Sequence, residues 1–464
     1  MNMASSKVLF IIKSKSKLQF QFLILHSCLL LSLSYTTNNG FHSIDLESLS
    51  HSSSCNHHPS TGKPSKPPTP STIQVYTPCP PLPLTADDAR VRSIQAKVRR
   101  ATTSDAFNDV KATLPAHLGI GNYAVTVSLG TPPKSLSLNF DTGSDLTWTQ
   151  CQPCSGSCYP QDDPIFDPSS STTYSKIQCA APQCSTLRLS PGVFATCAVT
   201  DCNYRLQYGD RSTSAGEFSK DTLTLTPDDT VPDFLFGCGQ ENRGLFVKSA
   251  GLLGLGRDAI SIVSQTEKKY GKYFSYCLPS TPSSTGHLTF GKTGSPSSGV
   301  AFAPFANSRG TSFYFLDITG ISVAGQELSI DRTIFTTAGN LIDSGTVITR
   351  LPATAYGALS QAFQEGMTSY PRAPPTTLLD TCYDLSNFTT VTLPRIAFTF
   401  AGNLKVNLDF YQMLSIHSIQ QVCLAFAANQ NDQDVGIFGN IQQRGLEVVY
   451  DVAGGNIGLG PGGC

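Results

Sequence analysis

Two short turns in this 464-residue chain carry the residue types that a hydrolytic site needs. Each turn combines an aspartate with a glycine and hydroxyl residues: Asp141, Thr142, Gly143, Ser144 in the first and Asp343, Ser344, Gly345, Thr346 in the second. Two carboxylates held close together cannot both ionise cheaply, so such a pair shares one proton. One carboxylate can then act as base toward a bound water while the other donates a hydrogen bond to a substrate carbonyl. The predicted chemistry is hydrolysis at a carbonyl, with Asp141 and Asp343 as the catalytic residues.

The neighbours of the two aspartates are expected to orient the carboxylates. Gly143 and Gly345 allow a sharp turn that brings each aspartate to the floor of a cleft. The hydroxyls of Ser144 and Thr346 can donate hydrogen bonds to the carboxylates. A single Asp-x-Gly triplet in a β-rich protein usually forms only a turn. Two of them in matching contexts favour the catalytic interpretation.

The elements that must position these turns come in two similar sets. An apolar-apolar-Gly element follows each aspartate at a comparable distance, Leu252–Gly254 after the first and Ile437–Gly439 after the second. From residue 118 onward, short alternating or β-branched runs are separated by Gly, Pro and Asp turns, which predicts an all-β class. The best helix candidates are Ala259–Lys268 and Ala355–Glu365. The duplication predicts two β-rich lobes with the active-site cleft between them.

Charge argues against a nucleic-acid-binding face on the body of the protein. Charged residues make up 14% of the chain, and the net charge is −1. Residues 1–110 carry 11 Lys and Arg against 6 Asp and Glu, whereas the remainder carries 21 against 27. An acidic body lacks the basic surface that phosphates require, so no nucleic-acid partner is expected.

Cysteine usage predicts an oxidising compartment. Of the 15 cysteines, twelve follow residue 110, and an even number of this size is typical of a disulfide framework. Zinc is the alternative, because Cys151-Gln-Pro-Cys154 has ligand-like spacing, but few histidines follow residue 110. A redox-active CxxC is weaker still, since no βαβ pattern surrounds it. No metal and no cofactor are expected.

The N-terminal region is predicted to be removed during maturation. Residues 1–34 place lysines before a short apolar run, which predicts a secretory signal peptide, with a transit peptide as the alternative. Residues 35–112 are predicted to form a propeptide. Within it, Thr85–Asp88 resembles a capping box that opens a helix surrounded by basic residues. One apolar face of this helix is formed by Val91, Ile94 and Val98. The helix is expected either to dock on the acidic body or to form a solvated linker. No apolar tail follows at the C-terminus, so no membrane anchor is expected.

These motifs resemble those of the pepsin-type aspartic endopeptidases, and within them the plant nepenthesin-like branch, over residues 118–464. The resemblance rests on Asp141–Trp148, Tyr208–Asp210, Phe236–Gly239, Asp343–Thr346, Ile437–Gly439 and the cysteine-rich stretch 151–202. It implies a bilobal pepsin-like fold, with an N-terminal lobe over 113–300 that carries the insertion and a C-terminal lobe over 301–464. It also implies a monomeric endopeptidase that is made as a zymogen, works at acidic pH without a cofactor and cleaves polypeptides.

Further site residues are implied by the resemblance alone. Tyr208 would sit on a hairpin flap over the cleft, and Trp148 would steady its hydroxyl. The implied disulfides are Cys151–Cys154, Cys158–Cys238, Cys179–Cys202, Cys184–Cys197, Cys277–Cys464 and Cys382–Cys423. The sequon at Asn387 is a predicted glycosylation site if the chain is secreted to the apoplast, with the chloroplast as the alternative location.

Two other functions stay open. Some plant relatives with this fold are catalytically inactive and act as inhibitors or receptors by binding a protein or a glycan, although both tetrads and the flap tyrosine are intact here. A chloroplast DNA-binding aspartic protease is also similar, although DNA binding would need a basic surface. The prediction is an active, secreted aspartic endopeptidase.

Overall fold

The fold is described on a computed structural model of the whole chain. The described residues are 40–45, 72–76, 84–102, 123–208, 212–244, 246, 248–281, 284–292, 299–306, 312–462 and 464. Of the segment Met1–Phe41, these ranges include Gly40 and Phe41, and all the other described residues belong to the unit His42–Cys464. The predicted signal peptide over 1–34 and the predicted propeptide boundary at 112 lie outside the described residues.

The described chain is built mainly of β-strands, as the sequence texture predicts. The strands up to residue 290 are β1 (Phe41–Asp45), β2 (Thr72–Tyr76), β3 (Ala124–Leu129), β4 (Lys134–Asp141), β5 (Trp148–Gln150), β6 (Ser175–Lys176), β7 (Val193–Ala198), β8 (Asp201–Gln207), β9 (Thr213–Thr226), β10 (Asp229–Arg243), β11 (Gly251–Gly254), β12 (Tyr273–Cys277) and β13 (Gly286–Phe290). Those that follow are β14 (Ala301–Pro304), β15 (Tyr314–Leu316), β16 (Ile318–Val323), β17 (Gln326–Glu327), β18 (Asn340–Ile342), β19 (Thr349–Leu351), β20 (Cys382–Tyr383), β21 (Thr390–Pro394), β22 (Ile396–Phe400), β23 (Leu404–Asn407), β24 (Leu414–Ser418), β25 (Gln421–Leu424), β26 (Phe426–Ala428), β27 (Gly436–Phe438), β28 (Leu446–Asp451) and β29 (Asn456–Pro461).

Helices are few and mostly short. The α-helices are α1 (Leu84–Thr102), α2 (Pro182–Leu189), α3 (Ile262–Gln265), α4 (Glu267–Tyr270), α5 (Arg332–Thr336), α6 (Ala353–Gly366) and α7 (Phe410–Met413), and the 3-10 helices are Pro168–Ser170, Ala401–Asn403 and Ile441–Gln443. None of the helices in the described ranges is both long and apolar enough to cross a bilayer.

The two helix candidates fare differently. Ala355–Glu365 lies within α6, but Ala259–Lys268 forms the two short helices α3 and α4 instead of one. The Ser261 hydroxyl caps α3 by accepting a hydrogen bond from the Ser264 amide at 3.2 Å. The chain then leaves helical geometry at Thr266, which divides the two helices.

One large sheet passes through both halves of the described chain. Its strand order is β14-β29-β28-β12-β13-β2-β3-β4-β11-β5-β10-β9-β8-β7, with β6 paired to β9. The C-terminal half adds sheets of order β15-β18-β27-β19-β26, β17-β16-β22-β23 and β20-β25-β24.

Strand β2, which belongs to the predicted propeptide, lies inside the large sheet. Val75 is opposite Val125 on β3, and Gln74 is opposite His287 on β13. Both valines are completely buried. Strand β2 therefore covers the edges that β3 and β13 would otherwise expose to other chains.

The duplicated sequence frame corresponds to a duplicated strand pairing. β4 ends at Asp141 and runs parallel to β11, with Asp141 opposite Gly254. β18 ends at Ile342, directly before Asp343, and runs parallel to β27, with Ile342 opposite Phe438. The apolar-apolar-Gly elements thus hold the strands that present the two aspartates.

Helix α1 is docked on the C-terminal half. Its apolar face is at most 5% exposed and packs in one cluster with Phe313, Phe315, Leu341, Val435 and Ile437. Burying side chains of this size contributes about 2 kcal/mol each. The structure therefore shows the helix docked on the body of the protein, and the alternative of a solvated linker is wrong.

Six disulfides join the described cysteines, and four differ from the implied pairing. They are Cys151–Cys238, Cys154–Cys158, Cys179–Cys197, Cys184–Cys202, Cys277–Cys464 and Cys382–Cys423. The last two agree with the expectation. The implied pairs Cys151–Cys154, Cys158–Cys238, Cys179–Cys202 and Cys184–Cys197 are wrong.

Strand geometry explains the first exchange. Cys151 directly follows β5, which runs parallel to β10, and this places it beside Cys238 with the two Cα atoms 5.3 Å apart. Cys154 and Cys158 remain in the same loop, with their Cα atoms 5.8 Å apart. A pair within the CxxC motif would leave Cys238 without its neighbour across the sheet.

Burial explains the second exchange. Helix α2 turns Cys184 inward onto Cys202 of β8, and both are completely buried. Cys179 and Cys197 lie nearer the surface of the insertion and bond to each other. The two buried cysteines therefore pair with each other, and so do the two cysteines nearer the surface.

Candidate active site

The two aspartate turns hold each other through a reciprocal pair of hydrogen bonds. The Thr142 amide donates to Ser344 Oγ at 3.0 Å, and the Ser344 amide donates to Thr142 Oγ1 at 2.9 Å. Asp141 and Asp343 are 2% and 0% exposed. Because each half supplies a donor and an acceptor to the other, the two carboxylates are fixed relative to each other from both sides.

Each carboxylate also has its own local donors. The Gly143 amide donates to Asp141 Oδ1 at 2.9 Å, and the Gly345 amide donates to Asp343 Oδ1 at 3.1 Å. Thr346 Oγ1 donates to Asp343 Oδ2 at 2.5 Å, as its position in the tetrad predicts. The hydroxyl of Ser144 is buried beside Asp141 and helps to lower the pKa of that carboxyl.

The two glycines are needed for a different reason from the one the sequence suggests. Neither Gly143 nor Gly345 is among the residues with positive φ. A Cβ atom at Gly143 would lie 2.8 Å from Asp343 Oδ1, and one at Gly345 would lie 2.5 Å from Asp141 Oδ1. Each glycine therefore makes room for the opposite carboxylate, and the left-handed backbone plays no part.

The flap residues meet as the resemblance implies. Trp148 Nε1 donates to the Tyr208 hydroxyl at 2.7 Å, and Phe246 packs edge-on against both rings. The Tyr208 amide donates to the Ser212 carbonyl at 2.8 Å, which closes the base of the hairpin between β8 and β9. Burial raises the pKa of Tyr208, so its hydroxyl stays protonated. Residues 209–211 lie outside the described ranges.

Arg90 of α1 occupies the space between the two aspartates. Its Nη2 atom lies 2.5 Å from Asp141 Oδ1 and 2.9 Å from Asp343 Oδ2. Nη1 donates to Asp141 Oδ2 at 3.1 Å, and Nε donates to Asp343 Oδ2 at 3.1 Å. One guanidinium thus bonds both carboxylates and fills the space between them.

Burial and Arg90 together set the electrostatics of this pair. Burial acts to raise the pKa of Asp141, but the Arg90 charge and its hydrogen bonds outweigh burial and hold that pKa below its usual range. At Asp343, burial has the largest effect and raises the pKa. The negative charge of Asp141 raises it further, and the positive charge of Arg90 only partly offsets this rise. The two carboxyls therefore differ in proton affinity although one guanidinium contacts both of them.

Further polar contacts fasten α1 to the wall of the C-terminal half. Asp87 is 5% exposed and accepts hydrogen bonds from the Val347 and Ile348 amides at 2.5 and 3.3 Å. Its Oδ2 also lies 3.2 Å from Nη2 of the buried Arg350. Toward the other end of the helix, Gln95 Nε2 donates to Asn429 Oδ1 at 2.9 Å, and Arg99 Nη1 donates to Asp434 Oδ1 at 2.8 Å.

Sequence reasoning missed the contacts of Asp87, Arg90 and Arg350. It placed Arg90 among several cations on a basic helix and Asp87 in a capping box. Helical spacing carries a usable signal, because Asp87, Arg90 and Ile94 recur every three to four residues on one face. Nothing in the sequence indicates what Arg350 of β19 faces.

The predicted glycosylation position can be located, and the structure also brings three cysteine sulfurs together. Asn387 is exposed in a turn, where a glycan has room. The sulfurs of Cys179, Cys184 and Cys197 lie within 4.8 Å of one another. All three belong to disulfides, so they offer no thiolate to a metal.

Similarity to known proteins is extensive. Residues 123–292 match the family model described as Xylanase inhibitor N-terminal, and residues 313–461 match Xylanase inhibitor C-terminal. Aspartyl protease family protein At5g10770 of Arabidopsis thaliana is 52% identical over 387 residues, which cover 82% of this chain and 81% of that protein. Aspartic proteinase nepenthesin-2 of Nepenthes gracilis is 34% identical, covering 79% of this chain and 81% of that protein.

Two solved structures have a fold similar to that of this chain. The crystal structure titled edgp has a TM-score of 0.60 at 18% identity and covers 85% of this chain and 96% of that one. Basic 7S globulin from soybean has a TM-score of 0.58 at 20% identity, covering 73% of this chain and 91% of that one. With two matched lobes, each presenting an aspartate turn, the chain belongs to the plant pepsin-like aspartyl protease family that includes the nepenthesins.

Proposed function

We propose that this chain is the precursor of an acid endopeptidase whose two aspartates activate a water molecule. The observation that carries the proposal is the single guanidinium of Arg90 bonded to both Asp141 and Asp343. The position of the Arg90 guanidinium marks a place where both carboxylates can contact one water molecule. It also keeps that molecule out while α1 is docked.

The reaction follows from the shared proton. Once α1 has left, the ionised carboxylate takes a proton from the bound water, whose oxygen attacks the peptide carbonyl carbon. The protonated carboxyl donates its proton to the carbonyl oxygen, giving a tetrahedral intermediate. Collapse of that intermediate breaks the C–N bond, and the carboxyl that took the water's proton passes it to the leaving amine. One hydroxyl of the intermediate returns its proton to the other carboxylate as the product acid forms. The pair then again holds one proton and is ready for another water.

Latency near neutral pH follows from the same contacts. Arg90 lowers the pKa of both aspartates relative to the site without it. The dyad therefore binds more protons after α1 has left than while α1 is docked. The contact with Arg90 stabilises docking fully when the pH is above the ordinary pKa of an aspartate. This stabilisation is lost as the pH falls through the lowered pKa of Asp141. Asp87 opposes this trend, because burial raises its pKa in the docked state. The lowered pKa of Asp141, which its contact with Arg90 sets, is the change that we propose drives release in acid.

Polypeptides are the proposed substrates, and the proposed location of the protein, as a monomer, is the apoplast after secretion. The disulfides joining the described cysteines support an oxidising compartment. The intact arrangement of both turns favours an enzyme over an inactive binding protein. The acidic body argues against a role in DNA binding.

The test is acidification of the purified precursor over residues 35–464. We expect no digestion of a denatured protein near neutral pH, then trimming of the N-terminus and digestion once the pH is lowered. Precursor that digests protein at neutral pH without trimming would contradict the latency. An acidified and trimmed protein that digests nothing would contradict the proposal that the chain is a protease.

A further inference from the structure

The binding site for Asp87 is a second anion site in the cleft, distinct from the dyad. Arg350 lies on β19 with its side chain 2% exposed, and its Nη1 atom donates to the Ile348 carbonyl at 3.1 Å. Within the described ranges, the carboxylates within 4.0 Å of its guanidinium are those of Asp87 and Asp88, both on α1. The partner anions of this buried cation thus come from the segment proposed to be removed.

The donors around Asp87 converge as they would on a bound carboxylate. The Val347 and Ile348 amides reach different oxygens of Asp87, and Arg350 adds a charged donor to one of them. All of these donors belong to the wall of the C-terminal half. They stay in the protein when α1 leaves, and a buried guanidinium without a counter-charge is costly.

The site lies within reach of a peptide bound at the dyad. Asp87 and Arg90 are three residues apart on α1, which corresponds to about 4.5 Å along a helix. An extended peptide advances about 3.4 Å per residue, so this distance spans one or two substrate residues. Asp343 and Val347 lie on the same short segment, which joins the two sites covalently.

We propose that, in the mature enzyme, Arg350 with the Val347 and Ile348 amides forms a subsite that selects an aspartate or glutamate side chain of the substrate. The acidic side chain takes the place of Asp87, within about three residues of the scissile bond. Arg350 is a specificity-determining residue in this proposal and takes no part in bond cleavage. The inference rests on the proposed function, because it requires both cleavage and removal of α1.

The experiment measures kcat/KM of the acid-matured enzyme on peptide pairs. Each pair shares one scissile bond and carries Glu or Gln at one position, moved stepwise through the three residues on either side. The assay is run at about pH 5, where an ordinary glutamate is mostly ionised. We expect at least one position at which Glu is preferred by roughly tenfold or more, as is typical of a charge-assisted hydrogen bond.

Variants separate this subsite from general effects of charge. Arg350→Gln should remove the preference for Glu while the Gln peptides are still cleaved within a few-fold of the normal rate. Arg350→Lys keeps the charge and should retain part of the preference, which covers the case in which Arg350→Gln fails to fold. Arg332→Gln, at an exposed arginine of α5, is the matched control and should change nothing.

The possible failures can be told apart. A normal enzyme that cleaves Glu and Gln peptides equally at every position would overturn the subsite and leave the protease intact. A preference for Glu that survives in Arg350→Gln would do the same. No cleavage of either peptide would contradict the proposed function, and the subsite with it.

Discussion

Single atoms decide which residues the catalytic turns accept. The reciprocal bonds between Thr142 and Ser344 hold the two turns so close together that a Cβ atom on either glycine would collide with the opposite carboxylate. The sequence identified the two turns that the structure brings together, because an Asp-x-Gly frame is local. It assigned the wrong reason to the glycines, because the contact that requires them is made with the other half of the chain.

Gly345→Ala tests this contact. The added methyl group would collide with Asp141 and with Arg90, so we expect loss of most acid proteolysis and weaker docking of α1. Gly357→Ala in α6 is the control, because its Cβ would meet no atom within 4 Å. The control should leave activity unchanged and stabilise the fold by up to about 1 kcal/mol. Full activity of Gly345→Ala would show that the two turns are not in contact in the working enzyme.

Tyr208→Phe is expected to be milder. It removes the hydroxyl that accepts from Trp148 and leaves the dyad intact. We expect a rate reduced by a few-fold to about a hundredfold, within the cost of one buried hydrogen bond, and an unchanged pH optimum. Rates measured across pH would check both points, and a shifted optimum would place Tyr208 among the titrating groups of the reaction.

At the scale of elements, α1 is the part of the chain to which we assign the proposed latency. The periodicity of Val91, Ile94 and Val98 predicted an amphipathic helix, and the basic residues suggested attraction to the acidic body. General attraction was too coarse, because the structure places one cation of the helix, Arg90, directly between Asp141 and Asp343, while Arg99 pairs with Asp434. Long-range geometry of this kind is not readable from spacing within one helix.

Arg90→Gln should weaken latency specifically. Without the guanidinium, the dyad keeps its proton in the docked state, and docking loses its strongest charge contact. We expect the pH at which half of the precursor matures to rise by about one unit or more, since one pKa unit corresponds to 1.36 kcal/mol. Arg92→Gln, on the same helix but paired with the exposed Asp88, is the control. Equal maturation profiles for the two variants would rule out a special role for Arg90.

The insertion over 151–202 shows the limit of pairing by resemblance. Peptide mapping without reduction should recover Cys184 with Cys202 and Cys179 with Cys197, because α2 directs Cys184 inward. Recovery of Cys184 with Cys197 would restore the nested arrangement and contradict the packing of α2. Disulfide pairs within one small insertion depend on which side chains face inward, and cysteine order does not record that.

At the scale of the whole molecule, two similar halves each supply one aspartate, and strand pairing brings the aspartates together. The β-rich texture and the duplicated frame were enough to predict this arrangement. The place of β2 inside the large sheet was not predictable, because Thr72–Tyr76 lies in a segment rich in Ser, Thr and Pro. A five-residue strand draws its stability from the ladders on either side, which only the folded sheet provides.

The central claim is that Asp141 and Asp343 work as one acid–base unit. The most direct measurement is the initial rate of proteolysis by the matured enzyme across pH, beside the rates of Asp141→Asn, Asp343→Asn and the double variant, each freed of its propeptide by an added protease. We predict a bell-shaped profile with an acidic maximum, at roughly pH 2.5–5.5, because activity needs one proton shared by the pair. Each single variant should lose nearly all activity, and the double variant should be scarcely worse. Substantial acid proteolysis by Asp343→Asn would contradict the account.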